Sequence, residues 1–172
     1  MAFDLETQKS FDQVGGRGNT NQLRMSVGVV YAPHADEFSA YREADVFNLV
    51  DRLFAAPLVV GFNVVDFDYK VLSAYVKRDF QQVKTLDLLR KVDQSLGHRV
   101  SLNNIAEATL GASKTSHGLQ AIEWYRTGNW DDLIAYCKSD VKLTWEIFLA
   151  ARRDGGVYYA KSGAKVRIPL TL

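Results

Sequence analysis

The chain has 172 residues, 47% of them hydrophobic and 24% charged, with only three prolines, which suits one ordinary folded domain and excludes a disordered or low-complexity chain. Lys and Arg total 21 against 20 Asp and Glu, a formal charge of +1, so a broad basic coat for non-specific polyanion binding is excluded. Cys137 is the one cysteine, which rules out an internal disulfide and metal sites built from several cysteines. The N-terminal MAFDLETQKS lacks the basic start and apolar run of a signal peptide, and no stretch approaches the roughly 18 apolar residues needed to cross a bilayer. A soluble cytoplasmic protein is expected. Charge is uneven: residues 151–172 carry Arg152, Arg153, Lys161, Lys165 and Arg167 against Asp154, a local +4, leaving −3 on the first 150 residues.

Alternation in residues 1–6 and the β-branched run LRMSVGVVY at 23–31 predict two early strands. Gly15, Gly16, Gly18, Asn19 and Asn21 break regular structure between them, as in a long hairpin-like connection. A third strand is predicted at Glu37–Tyr41, then a helix through Val46, Leu49, Val50, Leu53 and Phe54 that Pro57 stops. PLVVGF at 57–62 reads as a strand covered on both faces and central in its sheet. A helix over Phe67–Val76 and a strand at 83–87 follow, and the alternation of strands and helices indicates an α/β layered fold. Ser101 caps a helix that Gly111 stops, GLQAIEWYRTG forms another, and a longer helix runs from Trp130 to Arg152. GVYYAKSGAKVRIPL closes the chain as a hairpin around Lys161–Ala164.

Three carboxylate motifs stand out. Asp4 and Glu6 are two apart in a strand, so both point to one face; they belong either to a solvated edge or to a site where a cation neutralises them. In GFNVVDFDYKVL, Asp66 suits a helix cap, whereas Asp68 lies just past the end of a central strand, where open α/β sheets place ligands. In YCKSD, Tyr136 and Asp140 are four apart on a helix and share a face, either as a half-buried Tyr beside a surface Asp or as a phenol and carboxylate acting on one point.

Taken in order, FDLET, GFNVVDFD and YCKSD resemble the three-motif signature of the DEDDy 3′–5′ exonucleases of the RNase H-like superfamily, over residues 3 to 140. The whole chain is similar to the RNase H-like exonuclease domains found beside helicase-like proteins in bacteria, through FDLETQKSFDQVGG, VVGFNVVDFDYKVL, SLNNIAEATLG and WDDLIAYCKSDVKLT. Tyr136, four before Asp140, resembles the tyrosine subclass; the histidine subclass has His five before the Asp, where this chain has Ala135. The resemblance implies an α/β fold with a mixed five-stranded sheet flanked by helices and a C-terminal β-hairpin. It makes residues 1–172 a single domain, with 153–172 as the hairpin extension.

It further implies that Asp4, Glu6, Asp68 and Asp140 bind two divalent cations, Mg²⁺ with Mn²⁺ as substitute, as clustered hard oxygen donors would. Asp4 would bridge the ions, Glu6 and Asp140 would hold the nucleophile-side metal, and Asp68 would complete the leaving-group side. Tyr136 would orient the attacking water. Leu5 and Thr7 are implied to contact the terminal nucleotide; Asn63 would contact it too, or end the strand as a turn former. The expected activity is hydrolysis of single-stranded 3′ ends, DNA favoured, releasing 5′-nucleoside monophosphates. RNA trimming and a non-catalytic binding module are the alternatives. A helicase or repair protein is the expected partner, with no membrane.

Other polar residues have plainer readings. Lys114 and His117 fall in a solvated loop or meet phosphates, and His34 and His98 lack partners at metal-ligand spacing. Trp124, Tyr125 and Trp130 are expected in the core rather than stacked on bases. Arg152 and Arg153 are placed to satisfy the carbonyls at the end of the long helix. Three residues precede Asp4, a short lead-in that implies either a short first strand or a domain cut from a longer chain.

Overall fold

The computed structural model describes residues 1–112 and 118–172. Alternation in AFDLET builds β1 (Ala2–Thr7), with Phe3 and Leu5 buried on one face and Asp4 and Glu6 half-buried on the other. β1 pairs antiparallel with β2 (Met25–Ala32), and β2 with β3 (Glu37–Arg42). On the other side of β1, β4 (Val59–Gly61) and β5 (Thr85–Asp87) add in parallel. The order β3-β2-β1-β4-β5 is the mixed five-stranded sheet expected from the sequence. Its central strand is β1. The apolar run at 57–62 correctly signals burial on both faces, but β4 lies one place off centre, because apolarity reports burial and not rank in the sheet.

Helix α1 (Val46–Ala55) lays Val46, Leu49, Val50 and Leu53 against the Phe3 and Leu5 face. Gly28 permits that approach: a Cβ there would stand 2.6 Å from Leu49 Cδ2. Helix α2 (Asp68–Leu72) is shorter than expected. The chain leaves the helical path so that the Tyr75 hydroxyl can donate to Glu43 Oε1 (2.6 Å) and accept from the Met25 N–H (2.9 Å). Helix α3 (Leu88–Leu96) was not anticipated, whereas α4 (Leu102–Leu110) starts at the Ser101 cap and stops at Gly111 as expected. Helices α5 (Gly118–Thr127) and α6 (Trp130–Asp154) follow. Leu133, Cys137 and Val141 of α6 pack on Ala2, Val27 and Val29, covering the face of the sheet opposite α1.

The chain ends in a separate two-stranded hairpin, β6 (Gly156–Lys161) and β7 (Ala164–Pro169), turned by Ser162 and Gly163 at positive φ. Two pairs of hydrogen bonds fix it to α4, Asn104 with Ala160 (3.0 and 2.7 Å) and Thr109 with Tyr158 (3.1 and 2.9 Å). Arg167 donates to the Asp154 and Gly155 carbonyls at 2.8 and 3.1 Å, serving the helix end as Arg152 and Arg153 were expected to; Arg153 pairs with Asp154 instead. Among the described residues no helix is long and apolar enough to cross a membrane.

Candidate active site

On β1, Asp4 and Glu6 face α6, where Cys137 is fully buried with its Sγ 3.5 Å from the Asp4 carbonyl oxygen and 3.9 Å from Asp4 Oδ2. These three residues each bring one donor atom to within 4.8 Å of the others. Helix α6 also supplies Tyr136 and Asp140, about one turn apart. Asp140 is 5% exposed, and Tyr136 is half-buried beside the Trp124 ring at 5.9 Å between centroids.

Asp68 arrives from another segment. As the first residue of α2 it is 2% exposed, and its Oδ1 accepts from the N–H of Leu5 at 3.0 Å, the residue between Asp4 and Glu6. Burial pushes its carboxyl up to about 8, and the charge of Asp87 adds to that rise. Burial likewise pushes the Cys137 thiol well above its ordinary range, with the charges of Asp4, Glu6, Asp140 and Asp68 raising it further. The charges of all four predicted acids thus act on the same buried thiol, with Asp4, Glu6 and Cys137 forming the close donor group. The thiol stays protonated at neutral pH, so carboxylate oxygens are the available anionic donors, a set that fits hard divalent cations rather than zinc.

The loop that delivers Asp68 depends on a residue whose role was missed in the sequence. Gly61 ends β4 with no room for a Cβ against Val64, and Asn63 takes the left-handed conformation (φ 71°) that asparagine tolerates. Asn63 and Val65 donate their N–H groups to Asp87 Oδ1 and Oδ2 at 2.9 and 3.1 Å. Asp87 Oδ1 also accepts from Leu89 and Arg90 at 3.0 and 3.3 Å, capping α3. One buried carboxylate thus clamps the loop before Asp68 to the start of a helix. Its signal was an Asp immediately before the helical repeat Leu88, Leu89, Val92 and Leu96. Asp87→Ala is expected to destabilise the fold by about 3 kcal/mol and to weaken divalent-cation binding; Asp87→Asn, which keeps an acceptor, should fall between. Denaturant titration and calorimetry measure the two effects.

Asp66 does not cap α2. Both its oxygens accept from Arg90, at 3.1 and 2.7 Å, and this pairing holds its carboxyl below the usual range. The residues expected at the terminal nucleotide are spread out. The Leu5 side chain is 3% exposed and packs in the core, so only its backbone reaches the site. Thr7 donates its hydroxyl to the Lys9 carbonyl at 2.9 Å and, with Glu6, borders a cavity of about 370 Å³ walled by Phe11, Phe67, Leu119 and Ile122. Asn63 forms the turn, and its Oδ1 accepts from Arg99. Trp124, Tyr125 and Trp130 are half-buried against the α6 cluster, in keeping with the core expectation. Neither His34 nor His98 joins a metal-donor group among the described residues. Lys114 and His117 lie outside the described residues.

A mixed sheet whose central strand carries two acids, met by acids from α2 and α6, defines a protein of the nuclease type. The chain belongs to the RNase H superfamily: the family model of that description matches residues 1–151, ending before β6. Comparison with curated proteins finds no match. Membership supports nuclease-type action on nucleic acid; nucleases of this superfamily typically use divalent metals, and the acidic cluster suits them.

Proposed function

We propose that the protein is a metal-dependent 3′–5′ exonuclease of the tyrosine subclass. It hydrolyses phosphodiester bonds at single-stranded nucleic-acid 3′ ends and releases 5′-nucleoside monophosphates. The reading is supported chiefly by the close donor group of Asp4, Glu6 and Cys137, with Asp68 bonded to the Leu5 N–H between the two strand acids and Asp140 buried on the helix that carries Cys137. In this reading the four carboxylates hold two divalent cations, Mg²⁺ or Mn²⁺. When bound, these supply the positive charge that acidifies the attacking water and offsets charge on the leaving 3′ oxygen.

The remaining work falls to the chain. The Tyr136 hydroxyl, one turn from Asp140 and braced by Trp124, orients the attacking water. The cavity beside Glu6 and Thr7 receives the terminal nucleoside; its 370 Å³ falls within the usual range of small-ligand sites, and Phe11, Phe67, Leu119 and Ile122 offer apolar surface to a base. Asp68, raised by burial, gives up its proton as it becomes a ligand, so cation uptake releases protons. Residues 1–172 act as one domain, with the hairpin as an extension of it.

The test is digestion of 5′-labelled single-stranded DNA and RNA with Mg²⁺ or Mn²⁺. A ladder receding from the 3′ end is expected, and an inert wild type on both polymers with both metals would overturn the reading. Tyr136→Phe is expected to slow turnover by about 10²-fold while calorimetric Mn²⁺ affinity stays in place. Unchanged turnover would remove Tyr136 from the mechanism.

A further inference from the structure

The Phe11 and Phe67 rings meet edge-on at 5.9 Å and form a wall shared by two cavities. One is the pocket beside Glu6 and Thr7. The other, of about 570 Å³, is lined by Arg17, Asn63, Asp66, Lys70 and Arg99. Asp66 is its one acid, and both oxygens of that acid are taken by Arg90, so Arg17, Lys70 and Arg99 leave this cavity positive. None of the three cations is in an ion pair among the described residues. All three are exposed, and two are held in place: Arg17 lies 5.2 Å over the Phe11 ring, and Arg99 donates to Asn63 Oδ1. Asp66 and Lys70 also border a third cavity, of about 660 Å³, which continues past Arg78 and Arg90.

A positive groove is a departure on a chain whose first 150 residues sum to −3. Across the Phe11 and Phe67 wall lies the pocket that Glu6 borders. A small monoanion would need only one such place. A ligand with an end in the largely apolar pocket beside Glu6 and regularly spaced negative charges behind that end would use the pocket and the groove together. Phe11 and Phe67 offer ring surface between them, and an aromatic platform flanked by cations suits unpaired bases on a flexible strand rather than a stacked duplex.

We propose that Arg17, Lys70 and Arg99 form a backbone subsite for single-stranded nucleic acid, holding the phosphates just 5′ of the terminal nucleotide. The proposal rests on the 3′–5′ exonuclease reading of the adjoining pocket and deepens it: the substrate is a strand of several nucleotides, gripped upstream of the bond that is cut.

The probe is 5′-fluorescein-labelled dodecathymidylate, its binding followed by anisotropy in EDTA across a salt series. Arg17→Ala/Lys70→Ala/Arg99→Ala is expected to weaken binding at least about tenfold and to reduce the log–log salt slope by about 2, since each phosphate contact on a single strand contributes roughly 0.7. Arg17→Glu/Lys70→Glu, which keeps Arg99 and hence the Asn63 turn, should weaken it as much or more, and thermal melting establishes that both variants are folded. With Mn²⁺, the loss of kcat/KM on the oligomer should exceed the loss on thymidine 5′-monophosphate p-nitrophenyl ester, a one-nucleotide substrate, by at least about tenfold.

Wild-type affinity and salt slope in both variants would overturn the subsite, as would equal losses on oligomer and ester, or a wild type that does not bind the oligomer. A wild type that binds with the expected salt slope but hydrolyses neither substrate would sink the exonuclease reading and leave the binding result to decide the subsite.

Discussion

Asp4→Asn and Asp140→Asn are each expected to lower turnover of a single-stranded oligonucleotide by roughly 10³-fold or more, while the metal-free protein melts no lower than wild type. The first expectation follows from the several kcal/mol that charge stabilisation by bound cations provides to phosphoryl chemistry; replacing a ligand carboxylate by an amide removes the anion that holds the cation. The second follows from the charges gathered around Cys137. The charges of Asp4, Glu6 and Asp140 all act on the same buried thiol, so removing one of them lightens the negative charge gathered around it. In EDTA, deleting one charge relieves repulsion and should hold or raise the melting temperature. Single-turnover digestion and thermal melts give both numbers from one protein preparation. Activity within tenfold of wild type would remove that acid from the site, and a melting temperature well below wild type would show the acid to be structural.

The pH dependence of stability provides the other large effect. Asp68 has a folded-state pKa of about 8 against an ordinary 3.8, raised chiefly by burial. Because the folded value is the higher one, the protonated carboxyl contributes its stability fully below about pH 4, and that contribution is lost as pH climbs to about 8. The shift corresponds to on the order of 5 kcal/mol, enough to lower the melting temperature by roughly 10 °C for a chain of this size. The metal-free protein should therefore melt progressively lower between pH 5 and pH 8.5 in EDTA. Asp68→Asn should flatten that decline, since an amide carries no charge to bury. Mg²⁺ or Mn²⁺ at the upper end of the range should restore the wild type and have little effect on Asp68→Asn. A decline of the same size in Asp68→Asn would assign the pH dependence to another group.

Much of the site was legible because its acids obey local periodicities. Asp4 and Glu6 share a face of β1 because strand side chains alternate, and Tyr136 stands about one turn from Asp140 because helices repeat every 3.6 residues. Capping chemistry was equally local: Ser101 accepts from the Asn104 N–H at 3.3 Å, and Gly111 closes α4 in the left-handed region. Failures arose where a distant partner outweighed the local rule. Asp66 looks like a cap by position, yet Arg90, 24 residues on, takes both its oxygens. The helix predicted to reach Val76 ends at Leu72, because the Tyr75 hydroxyl is tied to Glu43 and Met25, distant in sequence. Asp87 read as the last residue of a strand, and its four backbone donors show that it positions the loop carrying Asp68.

The sequence by itself determined the strands and most of the helices, which face of each is apolar, and which acids occur at strand and helix spacing, since each of these depends on neighbours within a turn or a pleat. Only the tertiary structure decided that β1 is the central strand, that Asp68 meets the Leu5 N–H, and that burial lifts its carboxyl toward neutrality. It also decided that Arg17, Lys70 and Arg99, spread over 83 positions, line one groove. The near balance of 21 cations against 20 anions hides that separation, with acids gathered under α6 and cations set beyond Phe11 and Phe67. Net charge sums over the chain, whereas the field at a site depends on distance, and distances are set only when the chain packs.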